Sequence, residues 1–129
     1  MEEENMIYIL RDGISLGIAE AERLHGVVKD NIAMHSFEEA LLEYEEFAPE
    51  LVDIERNIKT LELDLKVCEI RQQRLYKEKG VKTVKEQEQL TREAMLDVRK
   101  LLEEYKGLRD KLRVKRTIYE CIIRRGEGI

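Results

Sequence analysis

Glu22 and His25 are spaced so that one helix face carries both, the Glu-x-x-His arrangement by which helical bundles ligate iron. Such centres need the motif on two helices plus two further glutamates. The chain holds no second copy, and its only other histidine is His35. A magnesium-dependent nucleotide site in an all-α protein needs two well-separated acidic pairs. Glu43/Glu46 and Glu50/Asp53 lie too close together to be those pairs, and no later pair follows. Gly13 and Gly17 sit within an apolar helical pattern, not between a strand and a helix, so they make no phosphate loop. Their spacing, continued by Ala21, instead lets two helices approach closely. Of the nucleophiles, Cys68 falls on an apolar seam and reads as a small core residue. Ser15 and Ser36 read as helix surface and helix cap. No catalytic residue, cofactor or metal ligand is assigned, and the chain reads as non-enzymatic.

The elements that position these residues follow from composition and period. Of 129 residues, 40% are charged and 5% aromatic, with seven Gly and one Pro. Leu, Glu, Lys, Arg and Ala dominate, as in long helices, while turn signals are too sparse for a sandwich or barrel. No charge-free run is longer than the seven residues of GISLGIA at 13–19, so no span can cross a bilayer. The start, MEEEN, is acidic and unlike a signal peptide. With Cys68 and Cys121 as the only cysteines, the expectation is a reduced, cytoplasmic protein.

From Phe37 a seam runs through Ala40, Tyr44, Phe47, Leu51, Ile54, Ile58, Leu61, Leu65, Cys68, Gln72 and Leu75, its spacings alternating three and four. A second runs from Val84 through Gln87, Thr91, Ala94, Val98, Leu101, Tyr105, Leu108, Leu112, Lys115 and Tyr119 to Ile122. Sidelong residues (Leu63, Val67, Ile70, Leu90, Met95, Leu102, Val114, Ile118) widen both stripes, so a third helix or another chain must cover them. Ser36 with Glu39, and Thr83 with Glu86, form capping boxes, and Gly80 is a left-handed helix stop. Pro49 implies a kink or a near-collinear restart. Upstream, Ile7, Leu10, Ile14, Gly17, Ala21, Leu24 and Val28 mark a first helix, followed by a loop at Asp30–His35 and, at the far end, a frayed tail from Gly126.

The fold expectation is thus all-α, one domain over residues 1–129. It has a first helix at 5–29 and a long antiparallel coiled-coil hairpin with arms at 36–78 and 84–124. A hairpin centred on Gly80 sets Cys68 opposite residue 92 and Cys121 opposite residue 39, so the thiols cannot bridge. It also pairs Gln72 with Gln87 and brings Tyr44 near Tyr119.

The net charge of −5 conceals a split: residues 1–62 carry 16 acidic and 5 basic side chains, residues 63–129 carry 12 and 18. In the hairpin, the basic run at 106–125 lies along the acidic stretch 35–54, which supplies its internal partner. The turn end has no such partner. Lys66, Arg71, Arg74, Lys77, Lys79, Lys82 and Lys85 face few acids there, and Tyr76 is the aromatic side chain able to stack on a base.

Residues 69–125 carry RQQRLYKEKGVKTVKEQEQLTREA and then EEYKGLRDKLRVKRTIYECIIRRG. A helix ending Arg-x-x-Leu-Tyr-Lys, a Lys/Gly/Thr turn, Val-x-Glu-x-Glu and a long closing helix resemble small bacteriophage proteins of the recombination-mediator type. The resemblance implies a phage-encoded protein that assembles into oligomeric rings and loads a recombinase on single-stranded DNA. Two functional expectations stand. The first is a self-associating adaptor, scaffold or inhibitor acting on a protein partner. The second is a recombination or replication accessory protein touching single-stranded nucleic acid through the basic hairpin tip. Neither involves a membrane.

Overall fold

A computed structural model describes residues 2–27 and 36–127, and those residues form three helices: α1 (Glu2–Val27), α2 (Phe37–Glu78) and α3 (Val84–Glu127). At ~1.5 Å per residue they are ~39, ~63 and ~66 Å long. The all-α expectation holds. The first helix starts earlier than expected, at Glu2, and positions 28–35 and 128–129 lie outside the described residues, including the expected Asp30–His35 loop. At the other end α3 continues to Glu127, past the expected stop, and Gly126 lies against the ring of Phe37.

Local chemistry sets the boundaries. The Ser36 hydroxyl accepts from the Glu39 N–H (3.3 Å) and the Thr83 hydroxyl from the Glu86 N–H (3.2 Å), so both capping boxes form their first bond. Gly80 takes φ 96°, with its N–H on the Lys77 carbonyl (3.2 Å) and the Val81 N–H on the Tyr76 carbonyl (3.0 Å). Those two bonds are a Schellman stop, and the positive φ is why glycine stands there. Pro49 neither breaks nor restarts α2, which is continuous through it. The proline lies on an exposed side, where water reaches the carbonyl its missing N–H leaves behind.

α1 runs parallel to α3 and antiparallel to α2. Arg11 pairs with Asp97 (3.7 Å), Gly17 abuts Tyr105, and Lys115 donates to the His25 carbonyl (3.0 Å). Against α2, Gly13 faces Leu61 and Arg23 reaches Glu50 (3.2 Å). The core is one continuous column of Ile14, Ala21, Leu51, Ile58, Met95, Val98, Tyr105, Leu112 and their neighbours. Lys115 belongs to this buried layer, its ammonium at the carbonyl end of α1, where the helix dipole favours a cation.

The hairpin register differs from one centred on Gly80. The link occupies Lys79–Thr83, so the hairpin centres at or just past Val81. Cys68 consequently lies against Met95, with 3.9 Å between sulfurs, not against Arg92. The same shift unpairs Gln72 from Gln87. The Gln87 amide instead donates to the Val81 carbonyl (2.8 Å) and fastens the turn. The Gln72 Oε1 is buried without a hydrogen-bond partner.

Candidate interaction surfaces

Seam residues build the rod on which any surface is displayed. Leu51, Ile54, Ile58, Leu61, Val98, Tyr105 and Leu112 are buried as expected. Leu65, Leu101 and Leu108 are only partly buried, packed against the core from its edge. On α3 the deepest contacts pass through Met95 and Leu102, which the sequence placed beside the seam, because α1 covers that flank. Tyr44 and Tyr119 do come close. Tyr119 packs on Phe47 (5.9 Å between ring centroids) and donates to Glu43 (2.6 Å), while Tyr44 donates to Glu120 (3.2 Å). The sequence did not assign Glu43 and Glu120 as acceptors for these phenols, although correct register alone would have found them.

Of the basic run at 106–125, Arg113 (2.5 Å) and Arg116 (3.1 Å) clamp Glu55, and Lys106 reaches Glu62 (3.8 Å). Burial alone would raise the Glu55 carboxyl, but the two guanidinium groups outweigh it and hold it below the usual carboxylate range. The expected partners further up α2 are not used: Glu38, Glu39, Glu45, Glu46 and Asp53 form no ion pair among the described residues. The shifted register explains the difference, since it moves the basic run toward Glu55 and Glu62.

At the turn end, Lys66, Arg71, Arg74, Lys77, Lys79, Lys82 and Lys85 are all exposed. None forms an ion pair among the described residues, and Arg71 turns its guanidinium onto the Met6 sulfur of α1. Tyr76 is half-buried, leaving part of its ring open. The structure separates these eight residues into groups. At about 100° per residue, Lys66, Arg74 and Lys77 lie on the outer face of α2, whereas Lys79, Lys82 and Lys85 surround the turn. Met6 is level with Arg71, so the end of the hairpin extends beyond the start of α1 as a pair of helices.

Not all of the apolar width is covered. Met95 and Leu102 are buried, but Leu63 (63% exposed), Val67, Ile70 (61%), Val114 and Ile118 face solvent. Of the two expected covers, a third helix or another chain, the third helix does not reach these residues, because α1 lies in the cleft between the arms, on the opposite side of α2 from Leu63 and Ile70. α1 adds Ile9 (69%) and Leu16 (70%) to the exposed set. Ile9 and Val67 line one groove of about 260 Å³ between α1 and α2. A second of about 530 Å³ follows it along the same boundary, lined by Gly13, Leu16, Gly17, Glu50, Asp53 and Tyr105.

Reactive chemistry is sparse. Burial, then the nearby Glu69, pushes the Cys68 thiol up, which makes it a poor nucleophile. Among the described residues no three His, Cys, Asp or Glu side chains are grouped to hold a metal ion, and no helix is long and apolar enough to cross a membrane. Glu22 is exposed, and His25 offers its carbonyl to Lys115. No protein-family model matches this sequence, and neither the curated proteins nor the solved structures show a match.

Proposed function

We propose that the chain is a non-catalytic coiled-coil protein that self-associates and acts through protein–protein contact, as an adaptor, scaffold or inhibitor in the cytoplasm. One observation carries this reading: large apolar side chains on two adjacent helices, Ile9 and Leu16 of α1 with Leu63, Val67 and Ile70 of α2, stand exposed on a rod that already has a complete core. Val67 shares a groove with Ile9, Leu63 and Ile70 flank it on the outer face of α2, and large apolar exposure of this kind marks contact surfaces. Sedimentation of the purified chain tests it. A mass above the 15.3 kDa of one copy, falling toward that value on dilution, is the expected result. A chain that stays at one-copy mass at every concentration removes self-association from the reading.

A second reading is favoured by the cations of the hairpin tip, which form no ion pair among the described residues. On this reading the protein is a recombination or replication accessory factor, of the phage mediator type that residues 69–125 resemble, and the tip follows the phosphates of single-stranded DNA. Fluorescence anisotropy of a labelled oligonucleotide at low and physiological salt decides it, with salt-sensitive binding expected and no binding at either salt excluding it.

A further inference from the structure

The outer face of α2 changes character along its length. Toward the turn it presents Arg56, Lys59, Lys66 and Arg74 around the apolar stripe of Leu63, Val67 and Ile70, and every one of these is exposed. Toward the start of the helix the same side, with its edge, presents Glu45 and Asp53 around Pro49 and Val52, again exposed. Neither set of charges is spent internally, since none of these six charged residues forms an ion pair among the described residues. A face that is acidic at one end, basic at the other and apolar between is complementary to itself when reversed. An anionic polymer or membrane fits only half of it and is repelled by the other half.

We propose that this face binds a second copy of the chain, α2 against α2, antiparallel, about a two-fold axis passing between Lys59 and Thr60. The proposal rests on the self-association read above and specifies its surface. The axis sets Glu45 opposite Arg74 of the second copy and Asp53 opposite its Lys66. Val52 meets Val67, and Pro49 meets Ile70. Symmetry makes each of these contacts twice, as an isologous interface requires. Arg56 lies over Leu63, its stem covering the apolar side chain while the guanidinium reaches water. The axis also brings the two Lys59 side chains together, with Arg56 of each copy close by, so the unfavourable contacts of the register gather at its centre.

Sedimentation equilibrium on the full chain tests it, with circular dichroism to verify that each variant keeps its helices; all substituted positions are exposed, so the monomer fold has no call on them. The wild type is expected at twice 15.3 kDa. Glu45→Arg and Arg74→Glu each reverse one charge of a pair made twice and should each weaken the dimer about tenfold, whereas the double variant should recover wild-type affinity. Lys59→Leu should tighten it. A one-copy mass for the wild type overturns both this interface and self-association. A dimer indifferent to Glu45→Arg and Arg74→Glu overturns the interface alone. So does a loss in the single variants that the double variant fails to restore, as expected were the basic half a site for phosphates.

Discussion

Gly17 and Tyr105 meet at a distance that admits no side chain between them: a Cβ at residue 17 would stand 2.5 Å from the Tyr105 Cζ and 2.7 Å from its hydroxyl. The phenol is buried and accepts from the Asn57 amide (2.9 Å), so swinging away would break that bond. This contact sets how deeply α1 sits in the cleft of the hairpin. Gly17→Ala should therefore destabilise the fold, since overpacking costs about 1–3 kcal/mol while alanine returns at most about 1 kcal/mol of helix propensity. The expected outcome is a melting temperature lowered by several degrees. In a Tyr105→Leu background the same substitution should become neutral or stabilising. A wild-type melting temperature for Gly17→Ala alone would mean that α1 is not seated on Tyr105.

Glu55 is held by two arginines of α3, which keep its carboxyl ionised below the usual range despite partial burial. A lowered carboxyl pKa stabilises the fold above the unfolded value of about 4.3, and that contribution is lost as pH falls toward the folded value. Urea titrations at neutral and acidic pH should show this loss. Glu55→Gln should cost about 1 kcal/mol at pH 7, in keeping with a pair that is half open to solvent, and flatten the acidic decline. An unchanged acidic slope in that variant would assign the loss to other carboxylates.

The Tyr119 phenol is shifted the other way. Burial, and then its bond to Glu43, push it well above the ordinary tyrosine value. A raised phenol pKa leaves stability intact below the unfolded value of about 10 and withdraws it as pH rises beyond that point. Ultraviolet titration should therefore show this phenol ionising only as the helices unfold. Tyr119→Phe keeps the ring on Phe47, loses the hydrogen bond at about 1 kcal/mol, and should make the alkaline transition less steep.

The helices, their caps and the Gly80 stop were legible because each is written in local chemistry: a hydroxyl three residues before a glutamate, a glycine where φ must be positive. Register was not, because it depends on how many residues the link consumes. Placing the centre at Gly80 rather than past Val81 was enough to match Gln72 with Gln87 and Cys68 with residue 92. The surfaces were half legible. Exposure of the tip cations followed from sequence, but periodicity alone could not say which side of α2 the third helix would take. Whether Leu63 and Ile70 would be covered by that helix or left for another chain was therefore open, and the helix lies on the other side.

Gln72 marks a weak point near the turn. Its Oε1 is buried without a partner, and the adjoining seam positions Gln87 and Thr91 are polar as well. Burying an unsatisfied amide costs about 1–3 kcal/mol, so Gln72→Leu should stabilise the chain by roughly 1 kcal/mol or more. Amide exchange should slow most in the last turns of α2 and the first turns of α3. A loss of stability would show that the carbonyl oxygen is satisfied in solution.

The turn cations give the sharpest separation between the two functional readings. Lys77, Lys79, Lys82 and Lys85 are exposed and their side chains make no hydrogen bond or ion pair among the described residues, so replacing all four by Glu should leave helicity intact. If the tip follows single-stranded DNA through four phosphate contacts, wild-type affinity should fall with salt with a log–log slope of roughly −3, at about 0.7 per contact. The fourfold variant should then lose binding altogether with its oligomer mass unchanged. Should the wild type show no affinity at low salt, where counterion release is strongest, the tip is a solvated turn and the protein-contact reading stands alone. Should the variant bind as well as wild type, the phosphates lie elsewhere, and Lys111, Arg124 and Arg125, which are exposed on α3 and form no ion pair among the described residues, become the next positions to reverse.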